Sequence, residues 1–268
     1  MNHPRDLITE YGLTPNKALG QNFLVDDSAT ELIVRTAAEP GLALLEIGPG
    51  LGALTFPLAE TGLPLAAVEL DKALAQILRG RLPERVHILN ADFLKVRDAE
   101  LAALPGFSEG VSVAANLPYY VTSPICMRLV LSELPVRRMT LMMQKEASER
   151  FLAGPHDKNY VPLTVLAQWL FDVTPILELS PASYWPQPDV SSAVLRFDRS
   201  ENELPAAMPR LVKAAFAMRR KTLVNNLCAL GLTKSGAAEL LGAAGISPGA
   251  RAEELSPEDF ARLAAFMG

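Results

Sequence analysis

Short apolar runs, divided by glycine-punctuated polar stretches, dominate the first two thirds of the chain. Residues 42–47, 65–69, 86–89 and 111–115 are each rich in Leu, Ile, Val and Ala and too short for buried helices, so each predicts a strand. Residues 138–144, 173–179 and 192–197 extend the series, the last by simple alternation. Helical spacing falls between them. Asp26-Asp27-Ser28 supplies helix-start chemistry ahead of Leu32, Ile33 and Ala37. Residues 53–61, 145–151 and 162–171 read as further helices, and from Pro205 onward the pattern is helical with Gly231, Gly242, Gly245 and Gly249 as punctuation. Gly20-Gln21-Asn22 reads as a turn after Lys17, Ala18 and Leu19, with Phe23 and Leu24 as an anchor; residues 183–188 read as a proline-stiffened loop and 198–203 as a linker.

The ends of the first four runs carry candidate chemistry. Residues 42–47 close in Gly48-Pro49-Gly50-Leu51-Gly52, a strand–turn–helix arrangement that brings a cofactor against backbone N–H groups. The spacing is GxGxG rather than GxGxxG, and Glu46 precedes it, so a dinucleotide is disfavoured. The second run ends in Glu69, which can accept both ribose hydroxyl protons of a nucleoside; the plain alternative is a charge favoured by a helix dipole. The third is followed by Asp92, able to accept from an exocyclic amine, or else a turn residue. The fourth ends in Asn116-Leu117-Pro118-Tyr119. Pro118 stiffens this stretch, the Asn116 amide offers one acceptor and two donors, and Tyr119 offers a stacking face. Together they suit a planar base with an amino group, although a strand end before a turn would look similar. In an open α/β sheet all four features gather at the carboxyl edge, where ligands bind.

Composition narrows the class. With 268 residues, 49% hydrophobic and 21% charged, the chain fits one large domain, or a large and a small one. Cys126 and Cys228 have no CxxC partner and His3, His87 and His156 do not cluster, so neither a disulfide framework nor a zinc site is expected. No signal peptide or membrane span is expected, and the setting is cytoplasmic. The net charge of −5 does not by itself indicate a nucleic-acid partner. Its distribution does: residues 204–238 hold no acid but include Arg210, Lys213, Arg219, Arg220, Lys221 and Lys234. A basic helix over 210–221 would grip phosphates, unless it is merely a solvated face.

Gly20-Gln21-Asn22-Phe23-Leu24, Glu46-Ile47-Gly48-Pro49-Gly50, Glu69-Leu70-Asp71, Asn116-Leu117-Pro118-Tyr119, Gln144-Lys145-Glu146 and Arg219-Arg220-Lys221-Thr222 together resemble the ribosomal RNA adenine dimethyltransferases, in motif and in order. Within them the likeness is to the bacterial small-subunit branch linked to kasugamycin sensitivity, over roughly residues 13–265. The resemblance implies an α/β, Rossmann-like class I methyltransferase domain with a mostly parallel seven-stranded sheet over 1–199. A small all-α RNA-binding domain over 200–268 would follow. It implies S-adenosylmethionine as cofactor, with Asn22, Leu24, Gly48, Gly50, Glu69, Asp92 and Asn116 binding it. Tyr184 falls on the family's second stacking aromatic. The partner would be 16S rRNA within an immature 30S subunit, with no membrane and no metal, and the enzyme a monomer. Two departures stand out: Pro188-Asp189-Val190-Ser191-Ser192 lacks the family's Lys before Val190, and Phe93 follows Asp92 where a smaller residue is usual.

On this resemblance, Asn116 and the Leu117 carbonyl would accept the hydrogens of an adenine 6-amino group while Tyr119 and Tyr184 sandwich the ring, across a stretch that Pro118 stiffens. Two other readings compete. One is a large-subunit rRNA adenine methyltransferase of the macrolide-resistance type, which the acidic total disfavours. The other is a non-catalytic RNA-binding assembly factor on the same scaffold, which the intact glycine turn, Glu69, Asp92 and Asn116 disfavour.

Overall fold

The order in which the strands pair explains why the candidate residues meet. The computed structural model describes residues 4–13 and 21–267; Lys17, Ala18, Leu19 and Gly20 of the expected N-terminal turn lie outside them. The strands are β1 (Phe23–Leu24), β2 (Ala43–Ile47), β3 (Leu65–Glu69), β4 (Val86–Asn90), β5 (Val111–Asn116), β6 (Val136–Gln144), β7 (Phe171–Leu179), β8 (Tyr184–Trp185) and β9 (Ser192–Arg199). Seven of them form one sheet in the order β4-β3-β2-β5-β6-β9-β7. The pairs from β4 through to β6 are parallel, and β9 runs antiparallel to β6. The chain leaves β2 toward β3 and β4 on one side, then returns to β5 on the other, so the strand order reverses between β2 and β5. That reversal opens a crevice at the carboxyl ends.

The central strands are continuous apolar runs because both faces are covered. Every residue of β2 and β3 is buried, and each fully buried Leu or Ile there contributes about 1.5–3 kcal/mol. The helices α1 (Pro4–Glu10), α2 (Asp27–Ala37), α3 (Thr55–Glu60), α4 (Lys72–Arg81), α5 (Asp98–Ala102), α6 (Thr122–Val130) and α7 (Lys145–Leu152) follow in chain order. α2 starts where its cap predicts, with the Asp26 carboxylate accepting from Ala29 N at 3.1 Å. It buries Ala29, Ile33 and Ala37 along one face, and the Ser112 hydroxyl of β5 donates to Ala37 O at 2.7 Å. Asp71 caps α4 in the same way, accepting from Ala73 N and Leu74 N.

The structure differs from the sequence reading in several places. β9 runs two residues into the expected linker, because Asp198 faces Arg138 across the antiparallel pair and the two join at 2.7 Å. Phe171 begins β7 instead of ending the preceding helix. Phe23-Leu24 and Tyr184-Trp185, expected as an anchor and a loop, form a small antiparallel pair, with Leu24 opposite Tyr184. The compact units also divide the chain differently from a single break after residue 199. One holds Met1–Ser148 with Val173–Arg199, the other Glu149–Asp172 with Ser200–Gly268.

The second unit contains α8 (Pro162–Leu170), α9 (Met208–Ala215), α10 (Leu223–Leu227), α11 (Lys234–Ala243) and α12 (Pro257–Ala265). Phe216 lies against Tyr160 and Phe260, with ring centroids 6.1 and 5.9 Å away. The Tyr160 hydroxyl donates to Leu255 O at 2.9 Å. The expected basic helix over 210–221 is a helix only as far as Ala215. Past it, the buried Asn226 amide donates to Ala215 O at 2.6 Å and Met218 O at 3.2 Å, satisfying terminal carbonyls that a longer helix would need. Arg219 and Arg220 therefore sit in an exposed turn, with exposed Lys221 at its end.

Candidate active site

The four strand ends meet around one pocket in the first unit. Its lining includes Asn22, Leu24, Glu46, Gly48, Gly50, Glu69, Asp92, Asn116, Leu117, Pro118 and Tyr119. All the predicted cofactor residues are there, together with the Asn116–Tyr119 stretch.

The glycine turn is built for a carboxylate rather than a phosphate. Gly48, Gly50 and Gly52 all have positive φ, at 68°, 57° and 90°, a region that residues with a Cβ rarely enter. At Gly50 a Cβ would also lie 3.2 Å from the Phe23 ring. The Gly50 N–H donates to Glu69 Oε2 at 2.9 Å, and Asp71 N donates to Glu69 Oε1 at 2.7 Å. The Gly50 N–H that the sequence offered to a cofactor is thus committed to Glu69, fixing both oxygens of a side chain that is only 6% exposed. Each carboxylate oxygen keeps a further lone pair for a ligand hydroxyl.

Glu46 is a pocket residue that sequence reasoning missed, having treated it only as a departure from the dinucleotide pattern. It is 1% exposed and its Oε2 has no hydrogen-bond partner. Burial pushes its carboxyl up to about 8; the nearby Thr55 hydroxyl opposes the rise and the Glu69 charge adds to it. Burial also raises Glu69, opposed by the Asp71 and Gly50 N–H groups. The available signal was a carboxylate inside an otherwise apolar strand. With Glu69 and Asp92 in the lining, Glu46 held mostly protonated near neutral pH by its burial, and no Lys, Arg or His among the described lining residues, the pocket disfavours a pyrophosphate and accepts a cation.

Asp92 stands at the far wall, capping a single 3-10 turn over Phe93–Lys95 by accepting from Leu94 N at 3.0 Å. At the opposite wall, Asn116 Nδ2 donates to Asn22 O at 3.1 Å. Leu117 N continues the parallel ladder to Met142 O at 2.8 Å. Pro118 O accepts from Val121 N and from the Thr122 hydroxyl, which joins the stiff stretch to α6.

Comparison with known proteins gives a match to the family "Ribosomal RNA adenine dimethylase" over residues 12–267. The chain belongs to this family. A relative from Lactobacillus delbrueckii subsp. bulgaricus, "Ribosomal RNA small subunit methyltransferase A", is 41% identical over 96% of this chain and 92% of its own. The protein of the same name from Myxococcus xanthus is 39% identical over 100% and 96%. Among solved structures, a dimethyladenosine transferase from Plasmodium falciparum has the same fold (TM-score 0.72, 22% identity, 90% of this chain and 95% of that one). The 23S rRNA methyltransferase ErmE is similar at TM-score 0.64, with 27% identity over 91% and 99%. The α/β methyltransferase fold and the enzyme class expected from the motifs are those of this rRNA adenine dimethylase.

Two groups of expected dimethylase residues lie outside the pocket lining. Tyr184 is 2% exposed within the apolar core; its hydroxyl, like that of Tyr119, is buried near Ser192 without a well-formed hydrogen bond, and burial raises both phenols. Arg210, Lys213, Arg219, Arg220 and Lys221 are all exposed in the helical unit. Arg219 reaches Lys158 O at 3.2 Å and Glu253 at 3.5 Å. Among the described residues no helix is long and apolar enough to cross a membrane, and no group of three or more His, Cys, Asp and Glu could hold a metal ion.

Proposed function

We propose that this rRNA adenine dimethylase transfers methyl groups from S-adenosylmethionine to the 6-amino groups of two adjacent adenosines, in a hairpin near the 3′ end of 16S rRNA within an immature 30S subunit. The observation that carries the cofactor is the polarity of the pocket: carboxylates at Glu69 and Asp92, a buried carboxyl at Glu46 that a cation can ionise, and no described cationic side chain in the lining. S-adenosylmethionine, when bound, supplies a methyl group on a positively charged sulfonium. Glu69 would hold its ribose, Asp92 its adenine amine, and Asn22, Leu24, Gly48 and Gly50 the wall between them.

Asn116 prepares the acceptor. A backbone carbonyl can only accept, so the bond to Asn22 O fixes the Asn116 amide with its nitrogen turned to Asn22. The side-chain oxygen is left to accept a hydrogen from the target amine, and the Leu117 carbonyl accepts the other. That draws the nitrogen lone pair out of conjugation with the ring. Tyr119 presents an aromatic face to a base taken out of its stack, and Tyr184 supports it from the core. The remaining contribution is alignment of the acceptor nitrogen with the methyl donor. The exposed turn with Arg219, Arg220 and Lys221, along with Arg210 and Lys213, would grip RNA phosphates.

The small-subunit target rests on relatives near 40% identity over nearly the full chain; the similarity to a 23S rRNA enzyme is lower, at 27%. The deciding experiment incubates the protein and labelled S-adenosylmethionine with 30S particles from an unmethylated strain, and in parallel with 23S rRNA. Mass spectrometry should place two dimethyladenosines side by side in 16S rRNA. Label confined to 23S rRNA would overturn the assignment.

A further inference from the structure

The far wall of the pocket is a short segment with little support of its own. Phe93–Lys95 forms one 3-10 turn after β4, and Phe93 and Leu94 line the pocket beside Asp92. Its local bonds run to Asp92: Leu94 N to the carboxylate, Lys95 N and Val96 N to the carbonyl. Asp92 also pairs with Lys95 at 3.4 Å, but that lysine is 84% exposed and the pair holds little. What fixes the segment comes from α6. Arg128 Nε donates to Phe93 O at 3.1 Å, its Nη2 donates to Val96 O, and its Nη1 meets Asp98 Oδ1 at 2.7 Å. The guanidinium lies over the Phe93 ring, 4.8 Å from its centroid. Asp98 is itself held by the Ser132 hydroxyl at 2.8 Å and Glu133 N at 2.7 Å.

α6 also begins at Thr122, separated by two residues from the Asn116-Leu117-Pro118-Tyr119 stretch, and is tied back to Pro118 O through the Thr122 hydroxyl. One helix thus holds both ends of the pocket, the acceptor stretch near its start and the Asp92–Phe93 wall through Arg128. We propose that Arg128 is a positioning residue that sets the adenosine end of the cofactor pocket, by holding Phe93 and Asp92 at a fixed distance from Asn116. The proposal rests on the reading that this end receives the adenosine of S-adenosylmethionine. A planar group with several fixed donors is required, because one head must serve two carbonyls, a carboxylate and a ring face at once. Lysine has charge and length but not that geometry. The bulky Phe93, a departure from the usual small residue, is then the platform on which the guanidinium lies.

The test uses the full-length protein and two nucleosides, S-adenosylhomocysteine and 5′-methylthioadenosine, which share adenosine and differ in the amino-acid tail. Arg128→Met keeps the apolar stem and removes the donors. Both nucleosides should weaken by the same factor, about tenfold, the scale on which outer partners of a binding group act. The KM for S-adenosylmethionine should rise more than kcat falls. Arg128→Lys should recover little of the loss. Phe93→Ala added to Arg128→Met should cost less than it does alone, since the two act through one wall. If Arg128→Met fails to fold, the Lys variant carries the same comparison. A lower melting temperature with unchanged affinities would make Arg128 purely structural and overturn the proposal, as would weakening of S-adenosylhomocysteine alone. If the unaltered protein binds neither nucleoside, the cofactor reading falls as well, which separates the two failures.

Discussion

Asn116 donates from its side-chain nitrogen to the backbone carbonyl of Asn22 at 3.1 Å, so a residue near the start of the chain decides which way the amide of the fourth strand end faces. The orientation matters because only the oxygen can accept from an amine. Asn116→Ala should lower the single-turnover methylation rate by about a hundredfold or more, the scale of a misplaced reacting group. The fold should persist, since Asn116 is only partly buried. Rapid-quench methylation of 16S rRNA in 30S particles measures it, with circular dichroism as the folding control. A fully active variant would remove the chemistry from this strand end.

The Tyr119 hydroxyl is buried near Ser192 without a well-formed hydrogen bond. Tyr119→Phe should therefore keep most activity, whereas Tyr119→Ala should lose a stacking contact worth about 1–3 kcal/mol. Comparing kcat/KM for the RNA across the three proteins separates a ring from a catalytic hydroxyl. Equal damage from Phe and Ala would contradict the stacking role.

Much of this site was legible because each contributor closes a local apolar run. Gly48, Glu69, Asp92 and Asn116 announce themselves by ending a strand, and the strand order then brings them together without further information. The rest depends on partners distant in sequence. Glu46 looks like an irregularity until burial on both faces of β2 is seen. The pairing of Leu24 with Tyr184 joins segments far apart in the chain through strands of two residues, too short to leave a periodic signal. The end of α9 at Ala215 is imposed by Asn226 from the next helix. The grouping of Glu149–Asp172 with the C-terminal helices is likewise tertiary.

The close approach at Gly50 gives a stability prediction. Gly50→Ala would place a Cβ in left-handed backbone, at about 1–2 kcal/mol, and within 3.2 Å of the Phe23 ring. The melting temperature should fall, and affinity for S-adenosylmethionine should fall further than that of a surface control, because the Gly50 N–H orients Glu69. Calorimetry on both proteins tests this; unchanged affinity would separate the turn from the ribose site.

Replacing Arg219, Arg220 and Lys221 together with Ala should weaken RNA binding and leave cofactor binding intact. If all three meet phosphates of unpaired RNA, the slope of log affinity against log salt should become shallower by about 2. Arg219 is partly engaged with Glu253, so Arg220→Ala with Lys221→Ala should account for most of the change. Filter binding across a salt series gives the slope, and an unchanged slope would mean the turn is only a solvated face.

Glu46 makes stability and cofactor binding depend on pH in opposite directions. Burial lifts its carboxyl from 4.5 to about 8. Between those values the folded chain keeps a proton that the unfolded chain has released, so this group's contribution to stability falls as pH rises and levels off above about 8. Glu69 shifts in the same direction and its charge acts on Glu46, so the difference between the parent and Glu46→Gln reads Glu46 together with its coupling to Glu69. The variant should gain in melting temperature relative to the parent as pH is raised from 5 to 8, as that window requires. A positively charged ligand favours the ionised carboxyl, so S-adenosylmethionine should bind the parent more tightly as pH rises through the same window and release protons as it does so. Glu46→Gln should show a flatter dependence and smaller proton release. Titration calorimetry in buffers of different ionisation enthalpy reads that release directly. Equal proton release from both proteins would show that Glu46 does not ionise on binding.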